Sequence, residues 1–146
     1  PHIIDLNVIP QIGGFLDICY CQEEEKMHFE SRKILNKREL LVSATTVRVP
    51  VIYGHSVSVY AEFENEVDIP KAEEALQNSP RVVYYPNTYI TPLDLGSSND
   101  SHICRLRLGT DEKSLTFWNV GHNVRLGAAA NAVNILITHI QYSGML

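Results

Sequence analysis

The sequence lacks long apolar runs. Nothing in it approaches the roughly 20 consecutive apolar residues of a membrane span. It also lacks a basic stretch followed by an apolar core at its start, so no secretory signal is expected. Cysteine is scarce: Cys19, Cys21 and Cys104 form an odd set. The Cys-x-Cys pair is too close for an ordinary disulfide and has no second pair to complete a zinc site. A reducing, cytoplasmic setting is the simplest reading of such a set. The histidines at 2, 28, 55, 102, 122 and 139 show no zinc-type spacing, so no metal centre is expected. There is no Gly-x-Gly-x-x-Gly and no P-loop, and Gly13-Gly14 lack the strand-then-helix context of a nucleotide turn. Excess basic charge is missing too. The formal net charge is −5 and the sequence pI about 5.6, which argues against a dedicated nucleic-acid binder. A local basic pocket for a phosphate or carboxylate stays open.

What is there fits one globular domain over residues 1–146, with 45% apolar and 20% charged residues. No internal repeat or low-complexity segment interrupts it. The start, Pro1-His2-Ile3-Ile4-Asp5, has no methionine ahead of it and reads as cut from something longer.

Residues 1–15 suggest a short extended piece, with Pro10 and Gly13-Gly14 marking a loop. Spacing predicts a helix over 23–35, its first turn acidic and its last basic, as the helix dipole favours. Residues 40–52 are rich in Val, Thr and Ile and predict a strand, leaving the ladder at Pro50. After a break at Gly54, residues 56–64 alternate and predict a half-buried strand antiparallel to its predecessor. A short helix is expected over 69–78, with Pro70 in its first turn and Ala72, Ala75 and Leu76 as its buried stripe. A strand is predicted at 81–85, then a turn-rich loop over 89–101. Two more strands at 103–108 and 115–120 are joined by Gly-Thr-Asp-Glu-Lys. The final helix, 123–141, is apolar on much of its surface and needs cover on more than one side. The expected fold class is α+β: a mixed, largely antiparallel sheet with helices on one face and the other face left for a partner.

Four positions stand out chemically. Glu23 and Lys26 share a helix face, suited to a substrate ammonium and to a carboxylate or phosphate. Spacing alone favours a plain solvated helix start. Arg48 lies in a run that looks buried, so its charge is expected to be paired. That partner is either a bound acid, gripped in bidentate fashion, or a structural carboxylate. His55 follows Gly54 just past the predicted strand end; imidazole suits proton transfer near neutral pH, though a histidine beside a loop is often a bystander. Asn123 begins the last helix ahead of Gly127-Ala128-Ala129, either a helix cap with tight packing or an approach to a flat ligand.

These residues sit within longer motifs. They include Asn7-Val8-Ile9-Pro10-Gln11-Ile12, Glu23-Glu24-x-Lys26-Met27, Val42-Ser43-Ala44-Thr45-x-Val47-Arg48-Val49-Pro50-Val51 and Gly54-His55-Ser56. Arg105-Leu106-Arg107 and Asn123-Val124-x-x-Gly127-Ala128-Ala129-x-Asn131-Ala132-Val133 follow. In order and spacing the set resembles the C-terminal catalytic and dimerisation domain of aspartate-β-semialdehyde dehydrogenases, a glyceraldehyde-3-phosphate dehydrogenase-like domain. The resemblance implies a cytoplasmic oxidoreductase of lysine, threonine and methionine biosynthesis. Such an enzyme reduces β-aspartyl phosphate to aspartate semialdehyde with NADPH, through a cysteine thioester. It implies Arg48 on the substrate carboxylate, Glu23 on its amino group, Lys26 at the phosphate, His55 as acid–base and Asn123 near the nicotinamide. It also implies a homodimer formed across the sheet, with NADP held mainly by an N-terminal half that this chain lacks along with the nucleophilic cysteine. None of the three cysteines falls at the nucleophile's motif, so the isolated fragment is expected to be inactive. Thr46, Cys104 and His122 depart from residues common in the family, being Cys, Gly and Asp in many relatives. They leave open a non-catalytic dimerisation or ligand-sensing module. A related reductase of N-acetylglutamyl phosphate is the other alternative.

Overall fold

The computed structural model describes residues 2–17 and 19–144. Contacts divide the chain into two compact units, Pro1–Val51 and Ile52–Leu146.

The first unit is built on one helix, α1, Gln22–Ile34. It starts one residue earlier than the sequence predicts because Cys21 serves as N-cap and Glu24 closes a reciprocal capping box. The Glu24 carboxylate accepts the Cys21 N–H at 2.9 Å. Glu23, Glu24 and Glu25 crowd the first turn and Arg32 and Lys33 the last, the polarity expected from the sequence. The loop at 9–14 is present, with Gly13 at φ +83° beside the Gln22 side chain.

The predicted strand over 40–52 is not a ladder strand. Its backbone makes a single antiparallel bridge, Arg48 with Ile9. The reason lies on α1. Glu24, His28 and Arg32, one helical turn apart, reach residues 46, 42 and 40 with their side chains. Glu24 Oε1 accepts from Thr46 N–H at 2.8 Å, His28 Nδ1 meets Val42 O at 3.3 Å and Arg32 Nε donates to Leu40 O at 2.6 Å. Helix side chains satisfy backbone groups that a neighbouring strand would otherwise take. β-propensity alone does not reveal that substitution.

The second unit holds a four-stranded sheet of β1 (His55–Glu62), β2 (Val82–Tyr85), β3 (Ser101–Leu108) and β4 (Ser114–Gly121). The spatial order is β1-β4-β3-β2. β1 and β3 each run antiparallel to β4, and β2 runs parallel to β3, so the sheet is mixed and largely antiparallel. The expected pairing of β1 with the segment before it is therefore replaced by pairing with β4. β3 carries a bulge between Cys104 and Arg107, with Arg105 at φ +59°. Between β1 and β2 lies α2, Ile69–Asn78, N-capped by Asp68 with Pro70 in its first turn; it packs on β2 and β3. Of its expected apolar stripe, Ala72 and Leu76 are half-buried and Ala75 is exposed.

The predicted loop after β2 contributes to the core. Ile90 and Leu95, on either side of a 3-10 turn at Pro92–Asp94, bury against Cys104 and Val120, with Tyr85 and Trp118 alongside. The last predicted helix divides in two. Arg125–Ala130 is a π-helical turn, with Gly127 N–H on His122 O and Ala129 N–H on Val124 O. α3, Asn131–Ser143, continues it and ends at Gly144 with φ +67°. Its Val133, Ile135, Leu136 and Ile137 are exposed.

Candidate functional site

Glu23, Lys26 and Arg48 all lie in the first unit. The helical spacing brings Glu23 and Lys26 together as an ion pair at 3.2 Å, both partners well exposed to solvent. Each side chain makes no other hydrogen bond among the described residues, and an exposed pair of this kind is held weakly. Arg48 departs from expectation. It is exposed, and its guanidinium has no ion-pair or hydrogen-bond partner among the described residues. Its backbone, in contrast, is fixed: N–H to Ile9 O at 2.8 Å, and carbonyl to Ile9 N–H at 3.0 Å. Pro50, two residues on, has no N–H with which to extend the pairing. The strand signal that made the arginine look buried came from Val47, Val49 and Val51, which are themselves exposed. The result is a cation with a bonded backbone and a head that no described residue engages.

His55 and Asn123 lie in the second unit. His55 opens β1 opposite Gly121, exposed and with no hydrogen-bond partner among the described residues. Asn123 Oδ1 accepts the N–H of Gly54 at 3.1 Å, so Asn123 holds the residue immediately before His55. Because that partner is a donor, the amide orientation is determined: oxygen faces Gly54 and the Nδ2 donors face away. Gly54 has φ +92°, and a Cβ there would fall 2.9 Å from Leu95 Cδ1. Beside this turn, Tyr53 stacks on His122, ring centroids 5.7 Å apart at 28°, and His122 Nδ1 is buried with no hydrogen-bond partner among the described residues. Gly127, Ala128 and Ala129 are exposed, a surface with nothing beyond Cβ.

No group of three or more His, Cys, Asp or Glu side chains among the described residues is arranged to hold a metal ion. For a nicotinamide cofactor the fit is confined to one end. The Nδ2 of Asn123, with no hydrogen-bond acceptor among the described residues, has the donor chemistry for a carboxamide oxygen, and residues 127–129 are small and exposed.

The sequence singles out these five residues as candidates but not the groups packed around them. Glu24 was one more charge in an acidic run. The signal for its role was present as Cys21-x-x-Glu24, a capping-box spacing with a thiol in place of a hydroxyl. Burial pushes the Cys21 thiol up, but hydrogen bonds from the Thr46 hydroxyl and from the Ile12 and Glu24 backbone bring it below its ordinary range. Glu24 is held below the usual carboxylate range by the N–H groups of Cys21 and Thr46. Nothing in the linear spacing announces Tyr53 on His122.

The chain matches the family model described as "Semialdehyde dehydrogenase, dimerisation domain" over residues 2–126, a span containing all five candidate positions. It is 43% identical over 140 residues to an aspartate-semialdehyde dehydrogenase of Campylobacter jejuni, covering 92% of this chain and 40% of that protein. It superimposes on the crystal structure of aspartate semialdehyde dehydrogenase II from Vibrio cholerae complexed with ASA, with a TM-score of 0.89 at 34% identity. That match covers 93% of this chain and 41% of the other. The Candida albicans enzyme, solved with NADP, matches with a TM-score of 0.75 at 20% identity, over 98% of this chain and 46% of that one; this likeness speaks to the fold alone. The chain thus spans about 40% of the length of the curated relatives it matches.

Proposed function

The chain belongs to the family of semialdehyde dehydrogenase dimerisation domains, and from that footing we propose that it is the substrate-binding and dimerisation part of an aspartate-semialdehyde dehydrogenase. The whole enzyme would reduce β-aspartyl phosphate to aspartate semialdehyde, releasing phosphate. Arg48 grips the substrate carboxylate. Glu23 takes the ammonium, exchanging its loose pairing with Lys26 for the ligand, and Lys26 turns to the phosphate. His55, with both ring nitrogens free of hydrogen-bond partners among the described residues, moves the proton. Asn123 holds the turn that carries His55 and offers its Nδ2 donors to the nicotinamide carboxamide. Bound mainly by the rest of the enzyme, NADPH supplies the hydride. The nucleophilic cysteine also lies outside this chain, so the fragment alone does not turn over. Two copies pair to form the working dimer.

One observation carries the reading: the arginine in the Val-Arg-Val-Pro motif has both backbone groups bonded to Ile9 and a guanidinium without a partner among the described residues. A structural ion pair, the competing explanation, would have shown a carboxylate on it. The test is Arg48→Ala in the full-length protein encoded by the reading frame that contains this chain. Semialdehyde- and phosphate-dependent NADPH formation is followed. Loss of a charge-assisted hydrogen-bonding partner predicts a fall in kcat/KM equivalent to about 1.5–3 kcal/mol. Unchanged efficiency rules out the assigned role. The isolated 146-residue chain should show no NADPH-linked activity.

A further inference from the structure

Three consecutive glutamates open α1, and the geometry separates them. Glu25 is exposed. Glu23 faces Lys26 and is free to exchange partners. Glu24 has no such freedom: Oε2 accepts the Cys21 N–H at 2.9 Å and Oε1 the Thr46 N–H at 2.8 Å. Thr46 lies two positions before Arg48. Its hydroxyl also sits 3.1 Å from the Sγ of Cys21, a residue only 1% exposed. Glu24 thus joins the first turn of the helix that bears Glu23 and Lys26 to the segment that bears Arg48. His28 and Arg32 extend the same stripe, but they hold residues 42 and 40, farther from the arginine. On the far side of Val47, the Ile9 bridge fixes Arg48 itself.

We propose that Glu24 is a positioning residue for Arg48: it sets the place of the guanidinium relative to Glu23 and Lys26 without touching the substrate. The inference rests on the reading of Arg48 given above. A carboxylate is required because two N–H donors approach two different oxygens of one group. An amide at this position must turn its NH2 toward one of those donors and lose that link. A methyl group loses both. Misplacing a binding group by a fraction of an ångström to 1 Å costs up to roughly 100-fold in efficiency.

The experiment uses the full-length enzyme with Glu24→Gln, Arg48→Ala and the double substitution. Glu24→Gln is expected to raise KM for aspartate semialdehyde roughly tenfold or more while leaving KM for NADP unchanged. In the Arg48→Ala background the same change should have almost no further effect, because the group it positions is gone. A purely structural Glu24 would lower Tm and leave both KM values alone, and that result overturns the inference. So does full additivity with Arg48→Ala. If Arg48→Ala is itself silent, the reading of Arg48 falls and this inference with it. If Arg48→Ala is impaired and Glu24→Gln is normal, only this inference falls. Should Glu24→Gln not fold, Glu24→Asp is read in the same way, since the shorter arm cannot span both donors. Amide hydrogen exchange of wild-type Thr46 adds a readout without substitution: protection is expected although the residue is in no strand, and unprotected exchange overturns the link.

Discussion

His102 shows how one residue reports on its surroundings. It is buried in β3, with Nδ1 3.1 Å from the Tyr85 hydroxyl and Nε2 2.7 Å from the Ser98 hydroxyl. Burial lowers its pKa, and the charge of Asp100 only partly opposes this. The folded state therefore prefers the neutral ring. Its stabilisation is complete above the unfolded value of about 6.5 and is lost as pH falls through the folded value. Melting temperatures at pH 7, 6 and 5 should fall more steeply for the wild type than for His102→Gln, which does not titrate; parallel curves would count against it. Gly54 makes a second case. An alanine there meets Leu95 at 2.9 Å and Pro92 at 3.2 Å with φ at +92°. The backbone term alone costs about 1–2 kcal/mol, and the crowding adds to it. Gly54→Ala should lower Tm and, by shifting the adjacent His55, reduce kcat in the full enzyme. An alanine variant with unaltered stability would show that the turn tolerates a side chain. Both positions were legible as residue types. Arg48 was legible as an anomaly, but its exposure was not, because neighbouring valines are buried only when something covers them.

At the level of elements, what the sequence revealed depended on whether an element's partner was local. α1 and α2 follow from periodicity and caps, and the β3–β4 hairpin from its turn residues, all within a few positions. Residues 40–52 failed because the groups that satisfy that backbone are side chains on a helix up to 22 positions away. The pairing of β1 with β4 spans more than fifty residues and leaves no mark in either strand. The packing of α2 on the sheet has a polar fastening that can be measured. Tyr84 in β2 donates to Glu73 Oε1 of α2 at 2.7 Å. Burial and the nearby Glu73 carboxylate push the Tyr84 phenol up to about 12. The folded state thus holds the proton more tightly. This contribution is full below the unfolded value of about 10 and is lost as pH rises through 12. Tyr84→Phe should cost about 1 kcal/mol at neutral pH, a charge-assisted hydrogen bond discounted for its partial exposure. Denaturant unfolding measures it, and a difference spectrum at alkaline pH should lose the latest-titrating tyrosine.

At the scale of the whole chain, the exposed surface exceeds that of compact monomers of the same mass. The chain of 16.5 kDa presents 11177 Å² to solvent. Monomers of that mass present about 7,600 Å², and even two separate globules the size of its two units would present only about 9,000 Å². The excess, roughly 2,000 Å² or more, is of the size buried in obligate assemblies. It is apolar in the places where partners are expected. In β1, both Val57 and Tyr60, on opposite faces of the strand, are open to solvent, and α3 leaves Ile135 and Leu136 about 60% exposed. A free monomer with such a surface is prone to associate. Dimerisation is therefore expected of this chain alone, since the sheet is made entirely within residues 55–121. Sedimentation velocity across a range of micromolar concentrations should show a species of twice 16.5 kDa. A discrete monomer throughout that range would mean that the excess surface is not covered by a second copy. An aggregate without a dimer would likewise count against pairing of two copies alone.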